Sequence, residues 1–228
     1  MAKRHTNITK LKIIQTALRL FLENGFSNTS ARALCNDLDI SLGNLTFYFP
    51  SKEHLLAVLI EMLCDFQWKM MKEEADDGIS LVLAVCLELM SMTSAAEENE
   101  TAKDLFISAY TSPITLEIIR KNDSQRAKTV FSEYCPDWTD EQFVEAEALV
   151  SGIEYATLMT TKTSSPLDVR ISGALDTILY IYKVPEEIRK IKIQKVLSMD
   201  YKKIGSRIFD EFKEYIEQVN EQAFNELF

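Results

Sequence analysis

The residues from Thr29 to Leu56, TSARALCNDLDISLGNLTFYFPSKEHLL, place hydroxyls, an amide and a glycine at the starts of short helical patterns, with apolar anchors behind them. Leu34, Leu38, Ile40 and Leu45 are the anchors, Asp39 sits in the turn, and Ser41 caps the short helix that follows. An Asp reaches the left-handed backbone region a tight turn needs at lower cost than most residues. Gly43 removes a side chain where backbone can approach a phosphate. Two short helices around a tight turn, running straight into a long helix, suit the task of holding a short helix in the DNA major groove. Other chemistries find less support. The chain has two histidines, His5 and His54, with no metal-ligand spacing, no Gly-rich phosphate loop and no base placed beside a Ser or Cys nucleophile. The expectation is therefore no enzyme, no cofactor and no metal.

The elements around this stretch are helical. Pro50, Pro113, Pro136, Pro166 and Pro185 all fall at the edges of periodic runs, where proline is tolerated, and none interrupts one. No alternating β-branched run and no hairpin turn between such runs is present. A first helix is predicted over 8–24, with Leu11, Ile14, Leu18 and Phe21 on one face and Gly25 as its C-terminal cap. Helices follow at 30–38, 42–48 and 52–74, the last behind Ser51 as N-cap, then a turn near Gly78. Further helices are predicted at 79–96, 100–111, 113–133, 139–161, 166–182, 186–198 and 200–226. The fold class is all-α: an N-terminal three-helix helix-turn-helix DNA-binding domain, 1–50, packed on a larger helical ligand-binding and dimerisation domain, 51–228.

Composition agrees with such a protein. The 228 residues carry a net charge of −10, yet residues 1–55 hold seven Lys/Arg against four Asp/Glu, so a head of +3 sits on a body of −13. Phosphate attraction confined to one end would look like this, although mixed-charge faces also arise without function. Cys35, Cys64, Cys86 and Cys135 lie far apart inside apolar patterns and read as reduced core thiols. The longest apolar run, 79–90, contains Glu88 and is too short to span a bilayer. The N-terminus has no apolar signal region, so a cytoplasmic location is expected.

The segment from Ile14 to Leu56 resembles the DNA-binding domain of TetR-family (TetR/AcrR-like) transcriptional regulators. The resemblance is carried by Ala17-Leu18-Arg19-Leu20-Phe21, Gly25-Phe26, Thr29-Ser30, Ile40-Ser41-Leu42-Gly43-Asn44-Leu45, Phe49 and Ser51-Lys52-Glu53-His54-Leu55. It implies DNA contacts for Thr29, Ser30, Arg32, Ser41, Gly43, Asn44, Thr46, Tyr48 and Lys52. Thr29 and Ser30 would meet a phosphate, Arg32 a base edge or phosphate, Asn44 an adenine edge, and Tyr48 and Lys52 the DNA backbone. Tyr48 as a core aromatic, and Lys52 and Arg32 as plain surface charges, remain the structural alternatives. Asp39 stands where the family usually has Gly, Cys35 where it has another small residue, and Thr46 where it often has Tyr. Positions 41–49 contain no basic residue, so readout rests on neutral contacts and shape, with Arg32, Lys3, Arg4 and Lys10 supplying charge.

For the acidic body the same resemblance implies a homodimer and a small-molecule pocket. Ala148, Gly152 and Ala156 recur every four residues and would admit a second helix closely; Ile171, Ala174 and Ile178 extend that surface. Packing within one chain explains the same stripe. Phe66, Met90, Phe106, Tyr110, Tyr155 and Met159 would surround a ligand, with ordinary core packing as the alternative, and Glu154 is a polar residue that suits a cation or simply emerges at the surface. The expected function is a DNA-binding transcriptional regulator, a homodimeric repressor released from a palindromic operator by a small hydrophobic ligand, cationic in one version. The alternative is a regulator with no ligand or one controlled by a partner protein. A filled interior would favour that alternative, and a cavity of several hundred cubic ångströms the ligand.

Overall fold

The computed structural model describes the backbone of residues 2–76 and 79–225, and side chains over 8–71, 73 and 79–223. The side chains of Lys3 and Arg4 and the turn at Gly78 lie outside the described residues. Among those described there are eleven helices and no strand. They are α1 Ala2–Asn24, α2 Ala31–Leu38, α3 Leu42–Tyr48, α4 Lys52–Asp76, α5 Leu81–Glu98 and α6 Glu100–Thr111, followed by α7 Pro113–Phe131, α8 Asp140–Leu158, α9 Leu167–Ile181, α10 Glu186–Leu197 and α11 Tyr201–Asn225. The all-α expectation holds. α1 starts six residues ahead of the predicted Ile8, because no proline or glycine in that stretch stops the helix.

Local chemistry sets the helix ends. Gly25 takes φ +88°, and its N–H closes α1 on the Phe21 carbonyl at 3.0 Å. Ser30 caps α2 by accepting from the Ala33 N–H at 3.1 Å, and Ser41 caps α3 by accepting from Asn44 at 3.1 Å. Asp39 ends α2 in the left-handed region, φ 52°, as expected of the turn residue. Pro113 opens α7, where its missing N–H costs nothing.

Two apolar cores hold the chain. The first joins Ile13, Phe21, Leu34, Leu45 and Phe49 of the N-terminal helices to Leu55 and Leu59 of α4, Leu105 of α6, and Phe212 and Ile216 of α11. The helix-turn-helix is thus fused to α6 and α11. The second core fills the space among α5 and α7–α10, with Met90, Phe143, Ile171 and Leu179, and with Phe131 stacked on Tyr182 at 4.2 Å. Each fully buried Leu or Phe contributes roughly 1.5–3 kcal/mol, so both cores are strongly determined. α11 approaches α5 closely through Gly205, where a Cβ would stand 2.9 Å from the Ser91 carbonyl and 3.1 Å from the Ser94 Cβ. The four cysteines are buried free thiols.

Candidate nucleic-acid interface and effector cavity

α3 is anchored by one fully buried side chain, Leu45, with Phe49 closing its end. Its other face is open: Leu42, Gly43, Asn44, Thr46 and Phe47 are exposed, and Phe47 keeps 77% of its surface in solvent. That face carries no charge, and Thr46 turns its hydroxyl back to the Gly43 carbonyl at 3.3 Å. Tyr48 is half-buried, edge-on to Phe47 with ring centroids 5.1 Å apart. Arg32 is exposed on α2, which packs against α3. Ser30, Arg32, Ser41, Gly43, Asn44, Thr46 and Tyr48 therefore share the accessible side of the motif.

Two expected DNA contacts are placed otherwise. Thr29 is 2% exposed, and its hydroxyl donates inward to the Gly25 carbonyl at 2.8 Å and the Leu20 carbonyl at 3.2 Å, so in this structure it is engaged in fixing the α1–α2 turn. Lys52 also turns inward. Its ammonium donates to the carbonyls of Phe26 at 2.7 Å and Thr29 at 3.1 Å, and lies 4.1 Å from the Phe26 ring centroid. The Phe26 carbonyl also accepts the Thr29 N–H at 3.2 Å, so Lys52 supplies it with a second donor. Lys52 thus ties the first turn of α4 to the entry of α2. Arg19 is also occupied, paired with Glu23 at 2.9 Å and Asp37 at 2.8 Å. Phe47, which sequence reasoning passed over, is the most exposed apolar group of the motif; its signal was a large apolar residue at a position with no core to fill.

Between α4, α5, α6, α7, α8 and α9 lies a cavity. It leaves about 60 Å³ for the centres of water molecules, enough for a few waters and far below a drug-sized pocket. Its wall is unusually polar for a helical bundle. Arg126, 5% exposed, donates to Glu88 with both terminal nitrogens and to Asp123 at 3.2 Å. Gln67 donates to Glu88 at 2.5 Å. Across the cavity Tyr182 donates to Glu147, and Tyr110 donates to Glu154 at 2.8 Å. Desolvation raises all three unbridged or partly bridged acids: Asp123 to about 6, Glu147 to about 8, and Glu154 well above the usual carboxylate range.

Comparison with known proteins follows from this geometry. The family model for bacterial regulatory proteins of the tetR family matches residues 13–59, the span of the anchored motif and the start of α4. Residues 13–59 of this chain are a tetR-family helix-turn-helix segment. Among curated relatives it is 42% identical over 53 residues to the HTH-type transcriptional regulator YuxN of Bacillus subtilis, covering 23% of this chain and 18% of YuxN. It is 34% identical over 89 residues to UidR of Escherichia coli K12, an HTH-type transcriptional regulator, covering 39% of this chain and 44% of UidR. The chain thus matches less than half the length of either relative. A solved structure, Salmonella enterica GusR, superposes with a TM-score of 0.50 at 21% identity over 77% of this chain and 96% of its own, which shows a shared fold.

The expected ligand residues divide. Phe106, Tyr110 and Glu154 line the cavity. Phe66 packs instead on Phe212 and Tyr215 of α11, Met90 is fully buried in the second core, Tyr155 is half-buried away from the lining, and Met159 is exposed at the end of α8. Glu88, Asp123, Arg126, Glu147 and Tyr182 were missed; the signal was charge inside apolar helical runs. The expected dimer residues divide too. Gly152 and Ala156 face solvent and Ala148 is half-exposed, whereas Ile171, Ala174 and Ile178 are buried in the chain's own core, Ile178 against the cavity. The apolar stripe of α9 marked its inner side. Its outer side carries Val169, Gly173 and Tyr180, α8 exposes Val144, Leu149 and Gly152, and a Cβ on either glycine would meet nothing within 4 Å.

Proposed function

We propose that this chain is a DNA-binding transcriptional regulator that acts in the cytoplasm as a homodimeric repressor, and that a small hydrophobic effector in the central cavity releases it from a palindromic operator. Residues 1–50 read DNA and residues 51–228 pair and sense. The observation that carries the reading is α4. Its first residue clamps the entry of α2 through Lys52, while Ile60, Leu63, Cys64 and Gln67 further along form one wall of the cavity. A molecule that parts this wall tilts the element to which the helix-turn-helix is tied, and its differential affinity for the two arrangements lowers DNA affinity. Pairing is supported by the outward apolar residues of α8 and α9 and the open space at Gly152 and Gly173. Two half-sites about one helical turn apart then meet two α3 helices.

The small free volume favours a second reading, a regulator with no effector or one governed by a partner protein. Selection of genomic fragments on the purified protein supplies an operator duplex, and fluorescence anisotropy then measures its affinity. Binding that weakens steeply with salt and drops about tenfold or more in Arg32→Ala and Asn44→Ala is expected. Salt-independent binding, or unchanged affinity in both variants, sinks the DNA reading. An operator complex that withstands every molecule that binds the cavity leaves the second reading standing.

A further inference from the structure

The polar wall of the cavity is unbalanced. Four carboxylates, Glu88, Asp123, Glu147 and Glu154, share it with one guanidinium, Arg126. Arg126 serves Glu88 and Asp123, leaving Glu147 and Glu154 with tyrosine hydroxyls alone. Both lie on one face of α8, seven residues and so about 10 Å apart along the axis. Burying even one carboxylate without a counter-charge is costly, and a bundle with only structural needs would place apolar residues here. A second observation is independent of the acids. The Nε of Arg126 is buried and finds no hydrogen-bond acceptor, although the side chain lines the cavity. A buried guanidinium donor without an acceptor costs free energy until an occupant supplies one.

We propose that the cavity takes an amphipathic organic cation, an apolar body carrying a protonated or quaternary nitrogen and a hydrogen-bond acceptor, with Glu147 and Glu154 as its counter-charges and Arg126 Nε donating to the acceptor. The proposal rests on the effector reading above. Phe106, Phe131, Tyr110 and Tyr182 supply ring faces that suit both the apolar body and the charge. Met92, flexible and polarisable, is a wall residue able to give way as the space opens.

Proton exchange follows. The groups facing the two acids are Cys64 and Gln67 from α4, Glu88 from α5, Tyr110 from α6, Asp123 and Arg126 from α7, and Tyr182 beyond α9. Burial and the neighbouring Asp123 push the Glu147 carboxyl up to about 8 and raise that of Glu154, so the empty cavity favours their protonated forms. A cation favours their ionised forms, so each binding event releases protons to solvent, and affinity rises with pH until the acids are already ionised.

The test uses three molecules of similar size and different charge with the full chain: tetraphenylphosphonium, tetraphenylborate and neutral triphenylphosphine oxide, with benzyltrimethylammonium and 1,8-diaminooctane widening the cation set. Titration calorimetry in buffers of differing ionisation enthalpy is expected to show cation binding with net proton release. In the Glu147→Gln/Glu154→Gln variant, whose fold is checked by circular dichroism, that affinity falls about tenfold or more and the buffer dependence vanishes. Equal binding of the anion or the neutral molecule, no binding by any of the cations, or a cation affinity indifferent to the double substitution overturns the proposal. The two readings fail separately. If a neutral molecule alone binds and dissociates the operator complex, the charge assignment falls and the effector reading stands. If cations bind as described and the operator complex is unmoved, the cavity assignment stands and effector release falls.

Discussion

The carboxylate of Asp104 on α6 accepts the backbone N–H of Ser27 at 2.8 Å and the Ser27 hydroxyl as well. Gly25, beside it, lacks the Cβ that would stand 2.8 Å from Asp104 Oδ2, and its φ of +88° suits glycine alone. Two turns further along α6, Tyr110 donates to Glu154 inside the cavity. One short helix therefore touches both the turn that enters α2 and the polar wall of the cavity.

Asp104→Ala removes both bonds to Ser27. It is expected to cost about 1–3 kcal/mol, lowering the melting temperature by several degrees, and to weaken the link between cavity and operator. Operator affinity measured with and without a cavity-binding molecule checks it: the ratio of the two affinities shrinks toward one. An unchanged ratio excludes α6 from the coupling.

Lys52→Ala removes a charged donor from the carbonyls of Phe26 and Thr29 and is expected to destabilise the chain by roughly 1–3 kcal/mol. Because the ammonium is engaged inside the protein, the slope of log affinity against log salt should change by clearly less than one. A lysine neutralising a phosphate changes it by about one, so a thermal melt together with a salt titration decides between the two roles.

Phe47→Ala is expected to leave the melting temperature nearly unchanged, because the ring is largely in solvent, and to weaken operator binding about tenfold. An apolar side chain in the major groove meets thymine methyl groups. Replacing operator thymines with deoxyuridine should therefore cost affinity in the parent protein and much less in Phe47→Ala. Equal losses in both proteins rule out methyl readout by this residue.

Gly152→Glu is expected to split the proposed dimer without unfolding the chain, since a Cβ there meets nothing within 4 Å. Light scattering after size exclusion should report a monomer, and operator affinity should drop as the second half-site is lost. A dimer that survives the substitution moves the pairing surface elsewhere.

The empty protein should lose stability as pH rises. Glu147 ordinarily titrates at 4.5 and is pushed up to about 8 by burial and by Asp123, so the folded state binds more protons than the unfolded one between those values. Its contribution is fully present below the unfolded pKa and is lost as pH rises through the folded one. Melting temperatures from about pH 5 to about pH 9 should decline, and Glu147→Gln should flatten part of that decline. A melting temperature that climbs across that range contradicts the assignment.

Much of the N-terminal motif was written in local chemistry. Ser30, Ser41, Gly25 and Asp39 act through their own backbone neighbours, and Leu34 and Leu45 declare their faces by helical spacing, so the sequence alone determined the caps, the turn and the all-helical class. Tertiary structure decided where the polar groups go. Thr29 and Lys52 turn inward because carbonyls of the α1–α2 connection lie within reach, and no local rule reveals that. Helical periodicity marks one apolar face without saying whether it meets the same chain or a second copy, which is why Ile171 and Ile178 proved internal while Gly152 and Gly173 lie open. The charged wall of the cavity is likewise a product of assembly. Glu88, Asp123, Arg126, Glu147 and Glu154 come from three helices and become one site only when packing removes the water that would screen them from one another.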